Sequence, residues 1–281
     1  MPILQFYEED CMKHYQKVKK RLMFFIAPLL ASSILSSPSQ AATFASSRGE
    51  VEFINFSLVP VDNDASSNTN VITIAQEGLV LALADGDANF IVNPPTATNL
   101  SLSQALGLGR SYLGLAESEA RVVGDFVVEA GTPFSFNFNA QLNLQTTIEN
   151  PSFEIAGATG DIDFVLVNTD NNSILESFRL MGNIITPGDS DFITITKSPN
   201  VSLSNVTNQS NFGGNQESAT ATIFGSVQRS FTEQTKLSLV EVKRNQARVQ
   251  VPEPSVSIAL MLSLSGMSLV LKAKRKDTLV L

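Results

Sequence analysis

The sequence has one cysteine, one histidine and no tryptophan among its 281 residues. Cys11 and His14 lie near the N-terminus, so residues 42–250 have neither residue type. Within that segment a histidine-dependent triad, a cysteine nucleophile, a disulfide, a Cys/His zinc site and haem ligation are therefore excluded. Because most familiar enzyme mechanisms are excluded with them, we predict that the protein is not an enzyme.

Charge is also scarce. Charged residues make up 16 % of the chain and hydrophobic residues 43 %, which excludes both a disordered polyelectrolyte and a multi-span membrane protein. The formal charge is −8, and residues 42–250 carry only ten Lys and Arg against 22 Asp and Glu. Since phosphate binding needs clustered Lys and Arg, nucleic acid is not an expected partner.

The N-terminus has the order of a secretory signal peptide: a basic block, an apolar run and then small residues. We predict a signal helix within residues 1–41, with cleavage after Ala41, where Ser39 and Ala41 are the small residues. A permanent membrane anchor is the alternative, although the apolar run is short for a bilayer span. The segment before Met12 is acidic and fits a signal peptide poorly, so translation starts at Met1 or at Met12.

The C-terminus has three consecutive parts, which are a proline-rich strip, an uncharged run over residues 255–271 and a basic cluster. At about 1.5 Å per helical residue the run gives a transmembrane helix roughly 25 Å long, near the lower limit for a span. An amphipathic core helix is the alternative, but the run has no polar face. The basic cluster favours a cytoplasmic end, which leaves the preceding domain outside. The cluster consists of Lys272, Lys274, Arg275 and Lys276.

This tail resembles the PEP-CTERM sorting signal of Gram-negative and cyanobacterial surface proteins. The residues that match its core are Val251, Pro252, Glu253, Pro254 and Ser255. The resemblance implies passage through the export machinery, transient anchoring in the inner membrane and recognition by a sorting enzyme, an exosortase. The expected destination is the cell envelope, the outer surface or the medium. The resemblance covers residues 251–276, within a predicted sorting segment of residues 251–281, and implies no biochemical activity.

Between the two ends the dominant sequence period is two. Residues 134–144 alternate apolar and polar side chains over eleven positions, which predicts a half-buried strand. The turn sequence TDNNS over residues 169–173 predicts a hairpin between the runs on either side. About ten such strands, separated by Gly, Asn, Asp and Pro turns, predict an all-β fold over residues 42–250, an antiparallel β-sandwich that is jelly-roll-like.

Three segments fit the strand pattern poorly. Residues 99–115 are rich in Leu and Gly and predict a short helix or a glycine-rich loop. Residues 202–218 are rich in Ser, Asn, Gln and Gly and predict a long surface loop. Residues 244–250 are polar and predict a linker that lies close to the membrane before processing.

Calcium is the one cofactor that the sequence leaves open. Asp85, Asp87 and Asn89 have the spacing of positions one, three and five of a calcium loop. Phe90 and Thr96, however, stand where an EF-hand needs Gly and Glu. Solvated turn residues are the alternative interpretation.

These observations predict an exported surface or extracellular-matrix protein with a structural or adhesive role. The alternative is a carbohydrate- or calcium-binding module of the same fold, with extracellular polysaccharide as the partner. The aromatic residues argue against a stacking platform for sugars, because Tyr112 is the only tyrosine in residues 42–250 and the alternation places Phe134, Phe136 and Phe138 in the core.

Overall fold

The computed structural model describes residues 42–252, which form strands and connecting turns with no helix. The prediction of an all-β, antiparallel fold is confirmed. The predicted signal helix and transmembrane helix lie outside the described residues. The ten strands are β1 (Ala42–Ile54), β2 (Asp62–Val92), β3 (Pro95–Val128), β4 (Pro133–Thr147), β5 (Ile155–Asn168), β6 (Ser173–Thr186), β7 (Phe192–Lys197), β8 (Val201–Asn211), β9 (Gln216–Ser230) and β10 (Thr235–Val251).

All ten strands belong to one sheet. Its order is β7-β6-β5-β10-β3-β1-β4-β9-β8, and β2 pairs along the whole of β3. The sheet curls until β6 and β7 approach β8 and β9, so it is nearly closed. The right-handed twist of neighbouring strands accumulates across so many strands and favours this curling.

The long hairpin of β2 and β3 bends at its middle. On β3, residues 97–108 pair with β1 and residues 112–128 pair with β10. Gly109 between them has φ +100° and Gly78 opposite has φ +146°, values that a side chain would strain. The prediction of a helix or loop over residues 99–115 is wrong, because these glycines bend a strand without ending it.

The bend divides the sheet into two halves that face each other. The first half-sheet contains β1, β4, β8, β9 and residues 79–92 and 95–108 of the hairpin. The second half-sheet contains β5, β6, β7, β10 and residues 62–75 and 112–128. Ser101 of the first half-sheet and Ser118 of the second are hydrogen-bonded through their hydroxyls at 2.7 Å, which shows that the two faces meet.

An aromatic core fills the space between the half-sheets. The alternation over residues 134–144 is confirmed, because the apolar residues of that stretch are all buried. Phe164 of β5 lies among four rings, with centroid distances from 5.0 Å to 5.9 Å, mostly edge to face. Such rings bury large apolar areas and prefer these tilted geometries. The four partners of Phe164 are Phe53, Phe136, Phe138 and Phe178.

A buried polar layer separates this core from a smaller apolar cluster around Tyr112. Glu241, Lys243 and Asn245 of β10 face inward between Leu239 on one side and Ala247 on the other. The remaining side chains of the buried polar layer are short and uncharged and come from β1 and β3 in both half-sheets. They are Ser47, Asn99, Ser101, Ser103 and Ser118.

The hairpin predicted around residues 169–173 is confirmed as β5 and β6. The surface loop predicted over residues 202–218 is wrong, because residues 201–211 form β8 and pair with β9. As an edge strand with exposed side chains, β8 needs no apolar face. The linker predicted over residues 244–250 is also wrong, since these residues continue β10 and alternate between the core and the solvent.

Candidate functional site

A groove of about 570 Å³ crosses the outer face of the second half-sheet. Its walls come from six neighbouring strands in the order β2, β3, β10, β5, β6 and β7. Strands lie about 4.8 Å apart, so a groove across six of them is roughly 24 Å long. A groove of this length fits an extended chain molecule better than a small compact ligand.

Two rows of outward-facing side chains line the groove, and the register of the strands creates them. Residues directly opposite each other on antiparallel strands place their side chains on the same face. The first row runs Asn68, Glu119, Arg244, Asp161 and Met181. The second row runs Asn70, Glu117, Gln246, Thr159, Asn183 and Phe192.

The carboxylate of Glu117 accepts hydrogen bonds from both neighbouring strands of the groove. Asn70 Nδ2 donates to Glu117 Oε2 at 3.0 Å, and Gln246 Nε2 donates to Glu117 Oε1 at 2.7 Å. Each carboxylate oxygen therefore has a donor from a different neighbouring strand. The two amide oxygens take no part in these bonds, and with the carboxylate they add acceptors to the groove.

Acidic groups dominate the charge of the groove. Glu117, Glu119 and Asp161 line it together with one guanidinium, that of Arg244, whose Nε donates to Glu119 Oε2 at 2.8 Å. Arg179 beside the groove binds both oxygens of Asp161, at 2.9 Å and 2.7 Å. Each cation is thus already paired, so an anionic ligand would meet uncompensated carboxylate charge.

Burial raises the pKa of neighbouring Asp163, and the negative charge of Asp161 adds to that effect. The pKa of Arg179 is raised in turn by its hydrogen bonds to Asp161 and by the charge of that carboxylate. Asp161 thus contributes to both shifts, as a repelling charge for Asp163 and as a hydrogen-bonding partner for Arg179.

One aromatic ring reaches the rim of the groove. Phe192 on edge strand β7 is 39 % exposed and lies opposite Asn183. Nothing in the sequence distinguished Phe192 from the other phenylalanines. Phe192 could stack on a sugar, because its ring is partly exposed. Buried rings cannot do so, and these include Tyr112, Phe134, Phe136 and Phe138.

The groove residues could not be found from the sequence, since none of them forms a motif. The available signal was the alternation of outward-facing and inward-facing residues along each strand. This alternation does not give the register between strands, and the register is what aligns Asn70, Glu117 and Gln246.

The calcium candidates do not lie in a loop. Asp85, Asp87 and Asn89 are exposed on one face of β2, and same-face residues in a strand are about 6.7 Å apart. A straight strand cannot wrap around one ion as a calcium loop does. Among residues 42–252, no group of three His, Cys, Asp or Glu side chains could hold a metal ion.

The sorting-signal residues meet the described domain only at its end. Val251 is the last residue of β10, lies opposite Tyr112 and is buried, whereas Pro252 is exposed. The other predicted residues of the tail lie outside the described residues, as do the predicted cleavage residues Ser39 and Ala41. Those tail residues are Glu253, Pro254, Ser255, Lys272, Lys274, Arg275 and Lys276.

Comparison of the chain with protein-family models, with curated proteins and with solved structures gave no match. In the segment that the structure describes, residues 42–252, there is no helix with the length and apolar character needed to cross a membrane.

Proposed function

We propose that this chain is an exported surface or extracellular-matrix protein with a structural or adhesive role, sorted through a PEP-CTERM tail. The observation that carries the sorting proposal is the junction at residues 251 and 252. The last strand ends at Val251, and Pro252 is exposed and lacks an N–H for a further sheet hydrogen bond. The strip that an exosortase would bind therefore begins where the folded domain ends.

Deletion of residues 253–281 tests the sorting proposal and leaves every strand intact. We expect the truncated protein to leave the cell surface and to accumulate in the periplasm or in the medium, as measured by cell fractionation. Replacement of the last five residues, 277–281, is the matched control, since it retains the basic cluster. An unchanged distribution after deletion of residues 253–281 would contradict the proposal.

A second candidate function is the binding of a carbohydrate chain, and the groove is the observation that favours it. The groove is long and open, and carries amide and carboxylate groups beside one exposed ring. Sugar hydroxyls both donate and accept hydrogen bonds, so a fixed mixture of Asn, Gln and Glu side chains complements them. The excess of carboxylates favours a neutral polysaccharide over an acidic one.

The substitution Glu117→Ala tests this second function. It removes the acceptor that Asn70 and Gln246 hold, and we expect at least about a fivefold loss of affinity for a neutral glucan or galactan, measured by affinity electrophoresis. Asp87→Ala is the matched control, because it removes the same charge from β2 outside the groove. Equal binding by both variants, or preferential binding of alginate by the wild type, would contradict the assignment.

We also propose that the fold is a jelly-roll-like β-sandwich. The facing half-sheets and the core between them support a sandwich. The supporting observation for the jelly-roll type is the long bent hairpin of β2 and β3, which contributes strands to both halves.

A further inference from the structure

Three reactive side chains meet in the buried polar layer. Glu241 and Lys243 are two residues apart on β10, and Asn99 comes from β3 in the opposite half-sheet. Lys243 and Glu241 have no exposed surface, and Asn99 is 1 % exposed. The other lysines in the described residues, Lys197 and Lys236, are both exposed.

Asn99 is the centre of the group. The Lys243 amine, Nζ, donates a hydrogen bond to the main-chain oxygen of Asn99. The carboxamide of the same residue donates through Nδ2 to Glu241 Oε2. The amine and the carboxyl group thus both bond to Asn99, the amine at its main-chain oxygen and the carboxyl group at its carboxamide, and all three side chains are buried.

Hydrogen bonding in this group is incomplete. Asn99 Oδ1 and Glu241 Oε1 are buried and have no partner. Buried polar atoms are nearly always paired, so two unpaired acceptors on adjacent side chains require a reason. The hydrogen bond from Lys243 Nζ does not supply one, since it goes to the main-chain oxygen of Asn99 and pairs neither acceptor.

Burial shifts the protonation of both ionisable groups toward their neutral forms. It lowers the pKa of Lys243 to about 8 against the opposing effect of Glu241, and it raises the pKa of Glu241 to about 7 against the opposing effect of Lys243. A neutral amine has the lone pair of a nucleophile, and a neutral carboxyl group is a proton donor.

We propose that Lys243 and Asn99 form an intramolecular amide cross-link, with Glu241 as the catalytic residue that carries the protons. The cross-link joins the two half-sheets and closes a chain segment of 144 residues, the sequence separation of the pair. In residues 42–250, which have no cysteine, such a bond replaces a disulfide as a covalent constraint on the unfolded chain.

The reaction needs no oxidant or other reagent. The lone pair of Lys243 Nζ attacks Cγ of Asn99, while Glu241 gives its proton to the carboxamide oxygen. A half-turn of the carboxamide about Cβ–Cγ brings the unpaired Oδ1 to Glu241 for this step. Nζ then gives a proton to the Glu241 carboxylate, which passes it to Nδ2. The Cγ–Nδ2 bond breaks and Nδ2 leaves as ammonia, while the oxygen returns its proton to Glu241 as the C=O bond re-forms. Glu241 ends as it began, and a secondary amide remains.

The packing around Lys243 holds the amine in place. A Cβ atom added to Gly49 would lie only 2.6 Å from Cδ of Lys243 and 2.9 Å from Oδ1 of Asn245. The lysine stem therefore fills the space that a side chain at position 49 would occupy. Pre-positioning of this kind lowers the entropic barrier to an intramolecular reaction.

Intact-mass measurement of the folded full chain tests the proposal. We expect a mass lower than that of the encoded or processed sequence by one ammonia. After denaturation and digestion with trypsin, residues 49–110 and 237–244 should appear as one joined peptide, because an acylated Lys243 resists cleavage. Full mass and two separate peptides would overturn the proposal and leave a buried ion pair.

Variants then assign the roles. Glu241→Gln should prevent the loss of ammonia or slow it at least a hundredfold, so the purified variant should have its full mass. Lys243→Arg should abolish the loss. Lys236→Arg, on the same strand but exposed, is the matched control and should cross-link fully. A complete cross-link in Glu241→Gln would contradict the catalytic role of Glu241. The measured mass does not depend on glycan binding or on sorting.

Discussion

The inner face of β10 passes through two environments that are equally buried and differ in what stabilises them. Leu237 and Leu239 contact the aromatic core, which is stabilised by the removal of apolar area from water. Glu241 and Lys243, on the same face of the same strand, depend on a few directed contacts to Asn99. Burial alone therefore does not describe the interior, since the aromatic core tolerates approximate fit and the buried polar layer does not.

The largest expected effect comes from Lys243→Met in the buried polar layer. The substitution removes the nucleophile of the proposed cross-link and with it the covalent constraint on the unfolded chain, so we expect a loss of about 5 kcal/mol in the free energy of unfolding. Urea unfolding followed by circular dichroism measures it. Leu237→Met on the same face is the control, with a loss of less than about 1.5 kcal/mol. Equal losses would contradict the distinction between the two environments.

The aromatic core should respond to truncation by the ordinary cavity effect. Phe164→Ala removes the ring that touches four others, and we expect a loss of about 3–5 kcal/mol in the free energy of unfolding. Phe192→Ala, at the exposed rim of the groove, should change it by less than about 1 kcal/mol. Thermal and urea unfolding of both variants would test this, and a small effect at Phe164 would show that the core repacks around the cavity.

The boundary between the two environments is tightly packed on β5. A Cβ atom at Gly160 would lie 2.3 Å from Leu142 Cδ1 and 3.0 Å from Asn245 Nδ2, so Gly160→Ala should cost about 1–3 kcal/mol. At Gly157 the nearest atom to such a Cβ is Ile184 O at 3.8 Å. Gly157→Ala should accordingly be nearly neutral in unfolding experiments. If both variants are equally stable, the boundary can relax.

The smallest effects are the pH slopes of two buried carboxyl groups, which should have opposite signs. Burial raises the pKa of Glu241, so its contribution to stability is fully present below about pH 4.5 and is lost as the pH rises toward 7. Burial also opposes ionisation of Glu176, but hydrogen bonds from Ser198, Asn200 and Arg229 outweigh it and lower the pKa. The contribution of Glu176 is therefore present above pH 4.5 and is lost as the pH falls below it.

Urea unfolding of Glu241→Gln and Glu176→Gln at several pH values would separate these slopes. One titrating group changes the free energy of unfolding by at most about 1.4 kcal/mol per pH unit. The stability of the wild type should fall as the pH rises from 4.5 to 7, and Glu241→Gln should remove that fall. Below pH 4.5 the stability of the wild type should fall as the pH is lowered, and Glu176→Gln should remove that second fall. Slopes of the same sign in both variants would be incompatible with this account.

The parts of the fold that were predictable from sequence are those in which apolar periodicity and burial coincide. The alternation over residues 134–144 predicted β4, and the turn at residues 169–173 predicted the hairpin of β5 and β6. β8 was missed because an exposed edge strand carries no apolar signal. The second half of β10 was missed because its outward Arg and Gln side chains resemble those of a linker.

The groove and the buried polar layer were missed for different physical reasons. The groove depends on the register between six strands, which no local pattern contains. In the buried polar layer a signal was available, because the alternation along β10 places Glu241 and Lys243 on the same face as Leu237 and Leu239. That position indicated burial, but Glu and Lys are seldom fully buried, so the pattern alone did not identify the buried polar layer.

The most direct test of the proposed chemistry of the buried polar layer is the NMR spectrum of the full chain labelled with ¹⁵N at the lysine side-chain nitrogens. We predict one secondary-amide N–H correlation from Lys243 Nζ that is absent in Lys243→Met and persists from acid to alkaline pH. A spectrum in which every lysine nitrogen behaves as an amine or ammonium group would contradict the cross-link and leave two unpaired acceptors unexplained.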